Sequence, residues 1–470
     1  MGSPDSLRSS FVGLRLLHLR LKEWLEFDSI LCRTVADVVG FVVGFLLYAC
    51  WRTREGFAIL AKLHRSAYSR WSSAAVTRLV RRAIRRAGSC RVGGEAKAKR
   101  RAAPGRRHRL IRTWDRYVER LSPEPHTIRF FQEPRRLLGS LAIVLKSPGP
   151  AERGVVLMNY SHIFPLFARL FDVEQVARKY HIVLEPSWSG YCTPEVLCYA
   201  RYDFPIFAEA YEPRDAEFLR QLDANLVPVP TSTNWWVDHR LFRPRPEVHK
   251  DADVIMVASW AAFKRHYRLF AALRALRKQG HALRVILLGY PCGMTRDDIG
   301  LQAKYYGVHD QLEVREGVPH EEVAIHLNRA RVNMIWSRKE GVNRAIIEGM
   351  FAGIPCLVRQ GFNYGHPYAY INSQTGCFAS EADLPEKLLW MVENHHQFSP
   401  RDYVLATMSP QRATDILAGV IQQSAQRMGE RWTDGLAVKV NRLHDMTYWD
   451  EQDRERFRED YAFLLSTVRA

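Results

Sequence analysis

The chain has few cysteines for its length, and none in a pattern. Its eight are scattered over 470 residues, with no Cys-x-x-Cys pair and no ligand-like Cys/His spacing. That excludes a disulfide scaffold and a structural zinc site and favours free thiols in a reducing compartment. No internal repeat is visible, which excludes solenoids and propellers. No signal peptide with a small-residue cleavage site is recognisable either. A charge excess is missing from most of the chain. Residues 121–470 carry 42 Lys or Arg against 41 Asp or Glu, and residues 1–51 carry five of each. Of the formal charge of +18, residues 52–120 therefore carry +17, with 21 basic residues and four acidic ones. No recognised nucleic-acid motif accompanies that run, so no nucleic-acid partner is expected.

The N-terminal part is rich in helix-forming apolar patterns. Residues 14–27 place Leu14, Leu17, Leu21, Trp24 and Leu25 on one helical face. An apolar run follows at 38–51. It is short of the roughly 20 residues a spanning helix needs. Extension back to Ile30 supplies the length but takes in Arg33 and Asp37, and Gly40 and Gly44 form a Gly-x-x-x-Gly packing signal. The run reads as a spanning helix, an in-plane or re-entrant anchor, or a helix packed on protein. Residues 74–91 predict a basic amphipathic helix with Val76, Leu79, Val80, Ala83 and Ile84 on one side, and 92–109 read as disordered. Residues 1–124 are thus a mainly helical, basic extension. It is expected to meet an anionic membrane surface, peripherally or as an anchor, with a solvated tail as the alternative. Basic residues follow the apolar run, which puts the remaining domains on the cytoplasmic face.

Beyond residue 124 the pattern changes to alternating strands and helices. LAIVLK, GVVLMNY, HIVLEPS and NLVPVPT are candidate strands of a first Rossmann-like domain over 125–243, whose alternation predicts a parallel sheet. A Pro-bearing linker, FRPRPEVHKD, leads into a second doubly wound unit over 244–400. In that unit DVIMVASW and LRVILLGY read as strands, and HYRLFAALRALRKQG as a helix ending in Gly280. Residues 401–470 read as mainly helical. The fold class is α/β, with two doubly wound domains behind the extension.

The chemistry concentrates in VNMIWSRKEGVNRAIIEGMFAGIPCLV, residues 332–358. VNMIW suits a buried parallel strand. Asn343 is a candidate N-cap, and Gly353 and Pro355 end the following helix. Free N–H groups from Gly341 through Val342 and Asn343 to Arg344 would face an anion such as a diphosphate. Glu340 lies in the loop and Glu348 about one turn into the helix, each able to accept from sugar or ribose hydroxyls. The bland alternative is a strand–helix crossover with surface acids.

This stretch, SRKEGVNRAIIEGMFAGIP, resembles the signature of retaining glycosyltransferases of family 4, which have the GT-B fold: Ser-x-x-Glu-Gly, a Glu-x7-Glu pair and a Gly-x-Pro turn. The resemblance covers roughly residues 150–395 and implies a nucleotide-sugar donor and a lipid-linked or polysaccharide acceptor, with no metal or cofactor. It implies that Glu340 holds donor-sugar hydroxyls, that Glu348 binds ribose, and that Lys264 in SWAAFKRH neutralises the leaving diphosphate. Ser259 stands where the family has an Arg, with Arg265 or Arg338 as substitutes. Asn343 stands where the family often has Gly. Gly289 in VILLGY and Gly317-Val318 in REGVP resemble loops near the nucleotide. In the first domain, His162 of NYSHIFPLF would orient donor or acceptor, with an exposed or structural histidine as the alternative; the usual Gly-rich loop is not evident there. TSTNWWVDHRLFRP resembles the family's pre-hinge segment, with Trp236 in place of Gly and with Asp238 and Phe242 retained. Trp188, Trp235 and Trp236 read as core or as stacking platforms. In the resembled enzymes the acceptor attacks from the leaving-group face, so no protein nucleophile is assigned. The alternatives are a non-catalytic scaffold of the same fold, or another enzyme on it such as a sugar-nucleotide epimerase.

Overall fold

The computed structural model describes residues 4–50, 52–66, 69–86, 109–361, 368–433 and 435–469, with side chains of the first helix from Val12 onward. The stretch 92–109, expected to be disordered, lies outside them except for Arg109. The chain forms two compact units, Met1–Arg33 with Val237–Ser409 and Thr34–Trp236 with Pro410–Ala470. The expected separate extension over 1–124 is therefore divided between them. The physical reason is that each part buries its own apolar residues in a different unit.

One unit is built on five strands: β1 (Ala142–Lys146), β2 (Gly154–Asn159), β3 (Tyr180–Glu185), β4 (Ile206–Glu209) and β5 (Leu226–Val229). β1 to β4 are buried along their whole length, as expected where both faces of a sheet are covered. The order is β1-β2-β3-β4-β5, so the sheet runs straight with no reversal of winding. It is parallel except at its edge, where β1 pairs antiparallel with β2. The expectation of a wholly parallel sheet is corrected there: a short connection, residues 147–153, can only turn the chain back on itself.

Among the described residues, four longer helices precede this sheet, Ile30–Ala49, Thr53–Ser66, Arg70–Arg86 and Arg109–Glu119, with a short one at Ile128–Gln132. From Thr34 on, the first of them lies along Thr53–Ser66. A Cβ on Gly44 would come within 3.1 Å of Ile59 and Leu60, and one on Gly40 within 3.1 Å of Leu63, so the Gly-x-x-x-Gly pair serves helix packing. Asp37, the acid inside the apolar run, is buried and accepts from Ser72 Oγ at 2.8 Å and from Ser69 Oγ. The opposite face, with Val38, Val39, Val42, Val43 and Leu46, is exposed. This helix is long and apolar enough to cross a membrane by composition, with mean hydropathy 2.1. Its burial of Asp37, Gly44 and Tyr48 shows that one face is committed to protein. A second correction concerns Arg70–Arg86. Its apolar face is buried at Val76, Val80, Ala83 and Ile84, where the helix meets Pro213–Leu222 and Arg109–Glu119. Those four residues are covered by protein, whereas Leu79 stays partly open and Arg78 and Arg82 are exposed.

The other unit holds a parallel six-stranded sheet: β6 (Ala252–Val257), β7 (Val285–Gly289), β8 (Leu312–Glu316), β9 (Ala330–Ile335), β10 (Cys356–Arg359) and β11 (Gly376–Ala379). The order β11-β10-β9-β6-β7-β8 is doubly wound, with its reversal between β6 and β9. Helix Pro4–Glu23 docks here. Val12 and Leu16 join the core with Ile299, Ala303 and Tyr306, while Leu14, Leu17 and Leu21 remain more than half exposed. The predicted apolar face thus points away from the protein.

The chain returns to the first sheet after Ser409 through the helix Pro410–Arg427 and the short strands Lys439–Asn441 and Met446–Tyr448. Lys439 Nζ meets Glu185 at 2.6 Å, with both side chains wholly buried. Asn441 Nδ2 donates to Glu185 at 2.6 Å and to Thr233 Oγ1 at 2.9 Å. Nearby, Trp236 Nε1 donates to Glu209 at 3.0 Å. Burial, then the charge of Glu185, drives the Glu209 carboxyl well above its ordinary range. The described cysteines are all free, and only Cys50 and Cys292 among them are exposed. Removing one partner of a buried ion pair leaves an uncompensated charge, at a cost of about 3–5 kcal/mol. Lys439→Met should lower the unfolding free energy by about that amount, and Lys439→Met with Glu185→Gln should recover much of it. Equilibrium urea denaturation of the three proteins measures both values.

Candidate functional site

The reversal of winding puts the carboxyl ends of β6 and β9 side by side and sends their chains to opposite faces, which opens a crevice between them. After β6 the chain passes Ser259 and a short turn, Ala262–Lys264, before helix His266–Lys278. After β9 it passes Ser337 to Gly341 before helix Arg344–Phe351. Arg338 N–H donates to Phe263 O at 3.0 Å and ties the two loops together. Lys264 Nζ then reaches Glu340 Oε1 at 2.5 Å, with side-chain exposures of 13% and 5%. The two residues singled out for donor chemistry, 76 positions apart, form one partly buried pair.

The helix behind Glu340 starts as its sequence demands. Asn343 is extended (φ −84°, ψ 108°) and its Oδ1 accepts from Ile346 N–H at 3.2 Å. Gly341 is buried, Val342 partly so, and Gly341 O accepts from Tyr368 Oη at 3.1 Å. Glu348 is buried on this helix, with Arg344 one turn before it at 3.4 Å and His320 Nε2 at 3.2 Å. Burial raises its pKa, but the His320 hydrogen bond and the charges of Arg344 and His320 outweigh that and leave it below the ordinary value. Glu348 is therefore a carboxylate with acceptor capacity facing neighbours that are both donors.

His320 was not singled out from the sequence. It opens helix His320–Arg329, two residues beyond Val318, and its ring meets Phe242 edge-on at 5.0 Å. The pre-hinge Phe242 thus supports the histidine that holds Glu348. A single loop histidine has no spacing to mark it; only the fold brings it to Glu348. Asp238, the other retained pre-hinge residue, closes a turn by accepting from Arg240 and from Leu241 and Phe242 N–H groups.

Three expectations change. Arg265 does not stand in for the missing cation. It is 1% exposed, in a left-handed conformation (φ 61°), and its guanidinium is held by Glu23 and by Glu381 at 2.5 Å. Arg338 is paired with Asp28 and lies over the Phe27 ring at 5.2 Å. Ser259 is nearly buried and brings no charge. Gly289 has a packing reason to be glycine: a Cβ there would lie 2.4 Å from Ala258 O and from Trp260 Nε1. Its carbonyl accepts from Gly317 N–H at 2.9 Å, which positions the loop carrying Val318. Ser337 Oγ is buried with no hydrogen-bond partner among the described residues. In the other unit His162 lies just past the end of β2, only partly covered and stacked on Tyr160 at 5.8 Å; that partial desolvation and then the His126 charge lower its pKa. Trp235 and Trp236 are core, whereas Trp188 is 55% exposed. Among the described residues no cluster of His, Cys, Asp or Glu could hold a metal ion.

Glu381 is the anchor of this arrangement, with Arg265, Arg268 and Arg359 around it. Burial opposes its ionisation, but Arg265 and the hydrogen bonds from Arg359 and Arg265 prevail and lower its pKa to about 2. An unfolded glutamate titrates near about 4.3. Glu381 therefore contributes stability that is present above that value and lost as the pH falls through about 2. Glu381→Gln should flatten the fall in melting temperature across that window, as followed by circular dichroism.

Residues 238–400 match the family described as glycosyl transferases group 1. Over 157 residues the chain is 26% identical to a GDP-mannose:cellobiosyl-diphosphopolyprenol alpha-mannosyltransferase of Komagataeibacter xylinus, covering 32% of this chain and 39% of that protein. Similar solved structures include TarM, at 15% identity and TM-score 0.45 over 57% of this chain and 54% of that one. Another is the sucrose-phosphate synthase of Thermosynechococcus elongatus, at 13% identity and TM-score 0.44 over 77% and 94%. The chain thus spans about two fifths of the curated relative and about half of TarM. The segment that carries the Lys264–Glu340 pair is the one that resembles the group 1 glycosyl transferases, the group to which family 4 belongs.

Proposed function

We propose that the chain is a retaining glycosyltransferase that moves a sugar from a nucleotide-sugar donor to a membrane-associated or glycan acceptor. The observation that carries this reading is the partly buried Lys264–Glu340 pair at the switch point, one loop away from the capped helix that bears Glu348. The relative's printed name, a sugar transferase using a nucleotide donor and a lipid-linked acceptor, agrees with it. In this reading Glu348 accepts from the ribose hydroxyls, Glu340 from the donor sugar, and Val342, Asn343 and Arg344 N–H groups face the diphosphate. Lys264 supplies charge where it develops as the diphosphate leaves, and fixed charge of that kind acts most strongly in a water-poor site. No metal, cofactor or protein nucleophile is assigned. His162 orients the donor sugar or the acceptor. In the same reading the exposed faces of Pro4–Glu23 and Ile30–Ala49 and the basic residues of 52–120 meet an anionic membrane surface at its cytoplasmic side.

A binding-only role on the same fold is favoured by one observation: the cation absent at Ser259 is not replaced, since Arg265 and Arg338 are paired elsewhere. Release of free nucleotide from a donor sugar separates the two readings.

Loss of the Glu348 hydrogen bonds should cost about 1.5–3 kcal/mol of nucleotide affinity. Glu348→Ala should therefore bind the nucleotide found by a thermal-shift donor screen roughly 10- to 100-fold more weakly in calorimetry. Unchanged affinity in a folded variant would remove Glu348 from the site. Lys264→Ala should lower kcat by about 100-fold or more while nucleoside binding changes little. Wild-type turnover in that variant excludes a direct role.

A further inference from the structure

We propose that the groove between helices Ile30–Ala49 and Arg70–Arg86 binds one anionic phospholipid. It lies within a single unit and has a volume of about 530 Å³. That is within the range of small-molecule sites, about 300–1,000 Å³. Its size suits a headgroup and the upper part of an acyl chain. Phe41, Phe45, Leu60 and Leu79 supply the apolar lining, and Arg78, Arg81, Arg82 and Arg85 the basic one.

The two linings together select the ligand class. An inorganic anion has no use for two phenylalanines and two leucines, and a neutral lipid has no use for four guanidinium groups. Only one carboxylate answers them in the described contacts: Asp223, at 2.6 Å from Arg85 and 3.9 Å from Arg81. The groove therefore keeps a positive excess. Arg78 and Arg82, one turn apart, are exposed, and Arg81 Nε is buried with no hydrogen-bond partner among the described residues. Phosphate oxygens are the acceptors that match such donors. At the rim, Trp71 is 48% exposed and meets Phe41 edge-on at 5.0 Å, the kind of aromatic side chain that sits at a membrane–water boundary. The same Ile30–Ala49 helix exposes Val38, Val42 and Leu46, an apolar surface for neighbouring lipids.

The source is the bilayer and not the acceptor of a transfer reaction. The groove-lining residues all come from the helices before the first sheet, and none comes from the sheet's carboxyl edge. This inference rests on the membrane-surface reading given above.

Native mass spectrometry of the full-length protein tests it. The probes are dihexanoyl phosphatidylglycerol, dihexanoyl phosphatidylcholine, a short isoprenyl diphosphate and inorganic phosphate. The expected result is one phosphatidylglycerol per chain, bound about 30-fold more weakly by the double variant Arg78→Glu, Arg82→Glu. Phosphatidylcholine and phosphate should bind no better than phosphatidylglycerol does to that variant. Equal binding of the two phospholipids, or unchanged affinity in the variant, overturns the site. Tighter binding of the isoprenyl diphosphate overturns the assignment to a bilayer phospholipid. Flotation with phosphatidylglycerol vesicles keeps the readings apart. Wild-type protein that fails to float defeats the membrane reading, whereas flotation without a saturating one-lipid complex defeats the groove alone.

Discussion

The pairing of β6 with β9 is the constraint on which the second unit depends. These strands are neighbours in the sheet but 72 or more residues apart in sequence, and the connections leaving them run to opposite sides. This pairing, with the bond from Arg338 N–H to Phe263 O, brings Lys264 to Glu340. The ion pair is possible because a doubly wound sheet leaves its strand ends uncovered at one place only, where the winding reverses. The capped helix at Asn343 then starts at the same opening. Sheet topology, helix capping and charge thus converge on one crevice. The first sheet shows the converse: its straight order has no such reversal.

Around this crevice the protein spends its carboxylates on fixing arginines. Glu23, Asp28 and Glu381 engage Arg265, Arg338 and Arg359. Two of those acids come from the N-terminal segment, so the helix Pro4–Glu23 and the turn after it are part of the setting of the donor loops. Tyr267 Oη donates to Glu23 at 2.5 Å and strengthens the same junction. Lys264 is the cation this network leaves to Glu340. The arrangement separates two tasks that similar charges perform: guanidinium groups hold the loops in place, and one ammonium group is kept beside the acid of the motif.

Much of this was legible in the sequence because it is local. The run 332–358 contains a strand, an N-cap and a helix stop within 27 residues, and each has its own chemical signature. The Asn343 cap is an interaction across three residues and needs no tertiary knowledge. What was not legible depends on distant partners. His320 reaches Glu348 across 28 positions, and Glu23 reaches Arg265 across more than 240. Arg265 looked free because the helix that neutralises it belongs to a segment read as a separate extension. The helix Arg70–Arg86 shows the same effect. Its amphipathicity was clear, but amphipathicity gives a face and not the identity of what covers it. The antiparallel edge strand β1 was also hidden, since a lone apolar run carries no direction.

The distribution of thiols has a practical consequence. Burial pushes the Cys198 thiol up to about 12 and that of Cys377 up to about 11, and it raises that of Cys356 as well. A maleimide reacts with thiolate, so these groups are poor targets. Cys50 and Cys292 are exposed, and they lie in different units. With Cys90, which is outside the described residues, replaced by serine, the unaltered remainder of the chain carries two preferred labelling positions, one on each body. A donor–acceptor dye pair or two spin labels at these positions would act as a built-in ruler, reading the separation of the two units in solution as ligands are added.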